Sequence, residues 1–150
     1  MTKRLVLALA LVAAPVSARP AADVIMPTDA AALAQQMQYG YADAVTAGDM
    51  VYLSGVIAAP RPGEKDLVPA YERAFAQIDA ILKRAGVSWD DVVDMTTYHT
   101  DLAAQAEAIA GVKNRYVKAP FPAWTAIGIT KLFEPAGVTE IKVTARKPKG

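Results

Sequence analysis

The chain has no cysteine and a single histidine, His99, in 150 residues. Without thiols there is no disulfide, no cysteine nucleophile and no thiolate metal site. One imidazole without clustered acids also argues against a transition-metal centre, so neither a metal nor another cofactor is expected. An excess of charge is missing too: 16 basic residues stand against 15 acidic ones, a net charge of +1. That balance removes the electrostatic footprint of a nucleic-acid or anionic-membrane binder. An apolar run of membrane-spanning length is likewise lacking, since the uncharged stretch at residues 5–16 is too short to cross a bilayer as a stable helix. It follows Lys3 and Arg4 and leads into Val16-Ser17-Ala18, with small residues where signal peptidase reads them. Residues 1–18 therefore read as a secretory signal cut after Ala18. The mature protein is expected in a periplasm or outside the cell, with no stable membrane insertion after cleavage.

What is present suits one globular domain, because 150 residues can bury one good core and not two of ordinary size. Residues 19–40 form an Ala- and Pro-containing extension, with a helix expected over 28–37 capped by Thr28 or Asp29. The main domain is placed at 41–147. Strands at 41–45 and 50–55 flank the turn Gly48-Asp49 and read as a hairpin. Pro60, Pro62 and Gly63 make 57–66 a loop. Tyr71, Phe75, Ile78 and Leu82 recur at helical spacing, with Ala74 and Ile81 widening the stripe, so 67–85 is the main covering helix and Gly86 its cap. A turn at 88–91 leads to a Val-, Thr- and Tyr-rich strand over 92–100. A second helix over 102–116 carries Ile109, Val112 and Tyr116 on one side. The stretch 120–130 and the alternating run 138–146 supply two more strands. The expected architecture is α+β, one sheet with two helices on one face. Its other face needs a cover, which a homo-oligomer would provide.

The order of these elements and several short motifs resemble the Rid family, the YjgF-type reactive-intermediate deaminases. The resemblance rests on Tyr41, Gly48-Asp49-Met50-Val51-Tyr52-Leu53-Ser54-Gly55, Ala85-Gly86, Thr97-Tyr98-His99-Thr100-Asp101-Leu102, Phe121-Pro122-Ala123 and Glu140-Ile141. It implies a chorismate-mutase-like fold, a homotrimer with a central β-barrel, and small-molecule clefts between subunits. It also implies a Tyr, a Ser-Gly pair and a late Glu in each cleft, which fall here on Tyr41, Ser54, Gly55 and Glu140. In the deaminases an Arg follows Phe-Pro-Ala and grips the substrate carboxylate, as a guanidinium fork does well. Trp124 stands there instead. Thr125 and Ala126 fill the next two places, commonly Ser and Cys, and Val56 stands where Gln commonly follows Ser-Gly.

Each of these residues has a plainer reading. Trp124 is either a core aromatic of its strand or a cleft wall that stacks on a planar or cationic ligand. Alternation puts it on one face with Ala126 and Gly128, and Thr125, Ile127 and Ile129 on the other. Glu140 is either a solvated or ion-paired carboxylate or the general base that positions water. Tyr41 is a cleft aromatic or strand packing; Ser54-Gly55 is a backbone device rather than a nucleophile; His99 is surface or structural. Arg115 and Lys118 are the favoured substitute cations for the missing Arg, with Arg61 and Lys131 behind them. The expected function is a hydrolase acting on an imine, enamine or related compound, with an altered substrate range. The alternative is a non-catalytic trimer that binds a small ligand or protects proteins in the periplasm. Endoribonuclease activity is a third and weaker expectation, because charge balance and site residues do not support phosphodiester cleavage.

Overall fold

The computed structural model describes residues 19–148. The secretory signal expected at 1–18 lies outside the described residues. A mixed sheet runs β1-β2-β3-β7-β5-β6, with β4 also pairing β7. Its strands are β1 Val24–Ile25, β2 Ala44–Ala47, β3 Met50–Leu53, β4 Val56–Ala58, β5 Val92–His99, β6 Ala123–Gly128 and β7 Thr139–Arg146. All neighbours are antiparallel except β5 and β6. Among the described residues, three α-helices accompany it: α1 Ala30–Tyr39, α2 Val68–Arg84 and α3 Leu102–Tyr116. The arrangement is an α+β, chorismate-mutase-like fold.

The main helix buries the stripe its spacing marks, with Tyr71, Phe75, Ile78 and Leu82 all fully covered. It ends where Gly86 takes a left-handed conformation (φ 74°) that a side chain would resist. Against it pack the inward residues of the sheet, Met95 on β5 and Ile141, Val143 and Ala145 on β7. Phe75 stacks on both Trp89 and Tyr116, with centroids 5.5 and 5.4 Å away, tying α2 to α3 and to the turn before β5.

Several elements differ from the sequence reading: the extension carries a short strand, Val24–Ile25, and the strand expected over 41–45 runs Ala44–Ala47, which leaves Tyr41 ahead of it. The segment 57–66, read as a loop, begins inside a strand: Val56–Ala58 pairs with Thr139, Glu140 and Ile141. Three residues are too few for an alternating pattern, and the prolines just beyond dominate the local signal. The helix of the N-terminal extension runs Ala30–Tyr39, and its Asp29 cap accepts a hydrogen bond from the Ala32 N–H. It is a third helix, and a polar clasp holds it. Gln36 Nε2 donates to Asp43 Oδ1 at 2.6 Å, and Arg84 Nη2 donates to Asp43 Oδ2 at 2.5 Å.

Candidate functional site

The site is built around an irregularity in the sheet. Tyr52 pairs with Thr144 and Val56 with Ile141, so Leu53, Ser54 and Gly55 stand opposite only Lys142 and Val143. An extra residue on one strand bends it and frees local backbone from the ladder. Ser54 braces the bend by donating its hydroxyl to the Ala42 carbonyl at 2.6 Å. Gly55 lies under the Glu140 side chain, where a Cβ would fall 1.9 Å from Oε1. Only glycine leaves the carboxylate where it is.

Tyr41, Ser54, Gly55 and Glu140 share a cavity of about 530 Å³, within the range of small-molecule sites. Tyr41 follows the left-handed cap Gly40 of α1 (φ 70°), so the N-terminal extension helps to shape this cavity. Gly55 and Glu140 also border a second cavity of about 360 Å³ that contains Lys131 and Lys142. Among the described residues, no hydrogen bond or ion pair ties down the Glu140 carboxylate.

Trp124, Thr125 and Ala126 are not part of this group within one chain. β6 is the edge strand, separated from β7 by β5. Trp124 pairs with Met95 and faces the helices with it, whereas Glu140 pairs with Tyr98 on the opposite face. The half-exposed indole donates its N–H to Thr97 Oγ1 at 3.0 Å. Lys113 Nζ lies 4.5 Å from the ring centroid. Arg115 is bonded to Glu72, and Lys118 donates to the Asn114 carbonyl at 2.7 Å.

Lys113 is the residue near Trp124 that sequence reading missed. It is buried, its ammonium donates to Asn114 Oδ1 at 2.9 Å, and burial lowers its pKa. Its position four residues after Ile109, on the apolar stripe of α3, was the available signal.

Behind Trp124 runs a buried polar network around His99. The donors close in one consistent way. Trp124 donates to Thr97, and the Thr97 hydroxyl turns to His99 Nε2 at 2.9 Å rather than to the Thr125 carbonyl at 3.4 Å. Nδ1–H of His99 then donates to Gln105 Oε1 at 3.1 Å, which also accepts from Thr139 at 3.2 Å. Tyr71 donates to Thr139 at 2.8 Å, and Gln105 Nε2 donates to Thr100 at 3.0 Å. We therefore assign His99 as the neutral Nδ1–H tautomer.

Burial holds the His99 pKa below its ordinary 6.5. The unfolded chain takes up a proton as pH falls below about 6.5 while the folded chain resists it, so stability is full above that pH and declines below it. Glu64, held at about 2 chiefly by its hydrogen bond to Arg73, loses its contribution only at more acidic pH, below its ordinary 4.5. His99 is the chain's sole histidine. The melting midpoint of wild type is expected to fall between about pH 7 and pH 5, and that of His99→Gln to fall less. Equal slopes in the two proteins would show that His99 is not the group responsible.

Comparison with known proteins agrees with this fold. The family model described as Endoribonuclease L-PSP matches residues 31–147. RutC family protein YjgH of Escherichia coli strain K12 is 40% identical over 116 residues, covering 75% of this chain and 86% of that protein. A 2-iminobutanoate/2-iminopropanoate deaminase of Dermatophagoides farinae is 31% identical over 104 residues, covering 67% of this chain and 80% of that protein. A solved structure of the protein YJGH superposes with a TM-score of 0.73 at 32% identity, covering 89% of this chain and all of that one. On the matched span, the shared fold and these identities, the chain belongs to the Endoribonuclease L-PSP family, the YjgF/Rid proteins.

Proposed function

We propose that the protein hydrolyses an imine or its enamine tautomer, releasing ammonia and a carbonyl compound, with Glu140 activating the water. The observation that carries this reading is the carboxylate of Glu140, unpaired among the described residues, lying over Gly55 in a cavity shared with Ser54 and Tyr41. Water adds to the C=N carbon as Glu140 takes one of its protons. Glu140 returns that proton to the nitrogen to complete the carbinolamine, then carries the hydroxyl proton to the same nitrogen as the C–N bond breaks, leaving a carbonyl and ammonia. The lone histidine is committed to a buried structural network, which favours this chemistry over a histidine-based phosphodiester cleavage.

The working unit in this reading is a trimer, exported after cleavage at Ala18. Trp124, Thr125 and Ala126 of one subunit would meet the Glu140 cavity of the next. The opposite-face placement of Trp124 and Glu140 within one chain supports that arrangement, because a single subunit cannot bring the two together. Trp124 offers its remaining ring face and no charge, since its N–H is bound to Thr97 and Lys113 lies over the ring. Arg115 and Lys118 are engaged elsewhere. The substrate range therefore excludes small 2-imino acids that need a guanidinium.

The test is ammonia release from freshly generated imines. Gly55→Ala places a methyl where the Glu140 carboxylate lies and is expected to lower turnover about ten- to a hundredfold with the melting midpoint retained. On 2-iminobutyrate, wild type is expected to be poor and Trp124→Arg better by about ten- to a hundredfold. Ligand binding without ammonia release from any imine would overturn the hydrolase reading and leave a non-catalytic ligand-binding protein.

A further inference from the structure

The mouth of the Glu140 cavity is lined by exposed aromatic rings that neither the fold nor the proposed water activation requires. Phe133 is 74% exposed, Tyr39 55% and Tyr41 43%. They come from two parts of the chain: Tyr39 and Tyr41 from the end of α1 and the residues just after it, and Phe133 from the connection between β6 and β7. Tyr39 and Phe133 meet edge to face, with centroids 5.4 Å apart and planes at 78°. Among the described residues, neither tyrosine hydroxyl has a hydrogen-bond partner. Apolar surface gathered in this way around a cavity marks a ligand site rather than a packing site.

The charge around the same cavity has one sign. Glu140 and Glu134 line it, Gln35 and Gln77 are neutral, and among the described residues no Lys or Arg lines it. The nearby lysines, Lys131 and Lys142, border the second cavity beyond. An anion in this cavity would thus meet two carboxylates, with Lys131 and Lys142 only on the far side of Glu140. A protonated nitrogen would meet a carboxylate, and ring faces attract cations.

We infer that the aromatic cavity selects compounds that join a flat apolar group to a neutral or protonated nitrogen. If the hydrolase reading above holds, the substrate is an arylalkyl imine, converted with one water to the arylalkyl aldehyde and ammonia. Water adds across its C=N bond and the C–N bond then breaks, so no oxidant or reductant is needed. The flat group lies against the Tyr39–Phe133 pair and Tyr41, and the nitrogen reaches Glu140. The extension helix α1, by supplying Tyr39 and Gln35, is a specificity element.

Calorimetric titration of the mature protein with phenethylamine, 3-phenylpropionate and n-butylamine separates ring from charge. Phenethylamine is expected to bind about tenfold or more tightly than 3-phenylpropionate. Phe133→Ala is expected to weaken phenethylamine about three- to tenfold and to leave n-butylamine unchanged. The exposure of Phe133 keeps that variant folded. Equal binding of the acid and the amine, or no effect of Phe133→Ala, overturns the inference. Ammonia release from phenylacetaldehyde imine and 2-iminobutyrate, each formed in situ, keeps the two readings apart. Equal turnover of both would overturn the ring preference and leave hydrolysis standing. Ring-selective binding without ammonia release would overturn hydrolysis and leave the ligand class standing.

Discussion

Glu140→Gln is expected to lower kcat for imine hydrolysis by about 10²–10⁴-fold, the usual contribution of a positioned acid–base group. The change is close to isosteric, so the amide still covers Gly55 and the cavity keeps its shape. Because no donor among the described residues is bonded to this carboxylate, removing its charge strands no partner. The melting midpoint should therefore remain near wild type while kcat collapses. Glu140→Asp keeps the charge but withdraws it by one methylene from the position over Gly55, and an intermediate loss is expected. Steady-state ammonia release with all three proteins checks this order. Unchanged kcat in Glu140→Gln would remove Glu140 from the chemistry, because nothing else about the cavity would have changed.

The sequence made the apolar framework legible and the polar couplings much less so. α2 and α3 declare themselves because Tyr71, Phe75, Ile78 and Leu82, and then Ile109, Val112 and Tyr116, repeat at helical spacing; all but the half-buried Tyr116 are fully covered. β7 does the same through the alternation of Ile141, Val143 and Ala145 with Glu140, Lys142 and Thr144. By contrast, α1 docks through Gln36, Asp43 and Arg84, whose partnership across the sequence has no periodic signature. β4 is too short to carry a pattern. The face of Trp124 follows from strand alternation, yet its lysine neighbour sits on another element and could only be suspected. Tyr41, Ser54, Gly55 and Glu140 were named through resemblance to a family, and periodicity alone would have left Glu140 a surface carboxylate. The contact between Gly55 and Glu140 depends on a bulge between β3 and β4 that local residue preferences do not announce. The aromatic mouth escaped the sequence reading for a similar reason, since Tyr39 and Phe133 are far apart in the chain.

Phe75→Ala carries the largest expected loss of stability, about 3–5 kcal/mol. Phe75 has no exposed surface, and its ring packs on both Trp89 and Tyr116, which also touch each other, with interplanar angles of 26° and 28°. Truncation leaves a void bounded by two large rings, each of which loses a stacking partner worth more than its buried area alone. Those rings belong to α3 and to the turn leading into β5, so neither collapses into the gap without moving an element of regular structure. Against a total of about 5–15 kcal/mol for a domain, the loss consumes a large share. Urea unfolding followed by Trp89 fluorescence should show a much lower midpoint at nearly unchanged slope. Phe75→Leu keeps most of the volume and should lose less than half as much. Phe133→Ala, at a ring 74% exposed, should leave the midpoint within about 0.5 kcal/mol of wild type. The contrast decides which aromatics hold the fold and which are free for a ligand: if Phe133→Ala unfolds as readily as Phe75→Ala, the exposed rings are structural after all and the cavity mouth is part of the core.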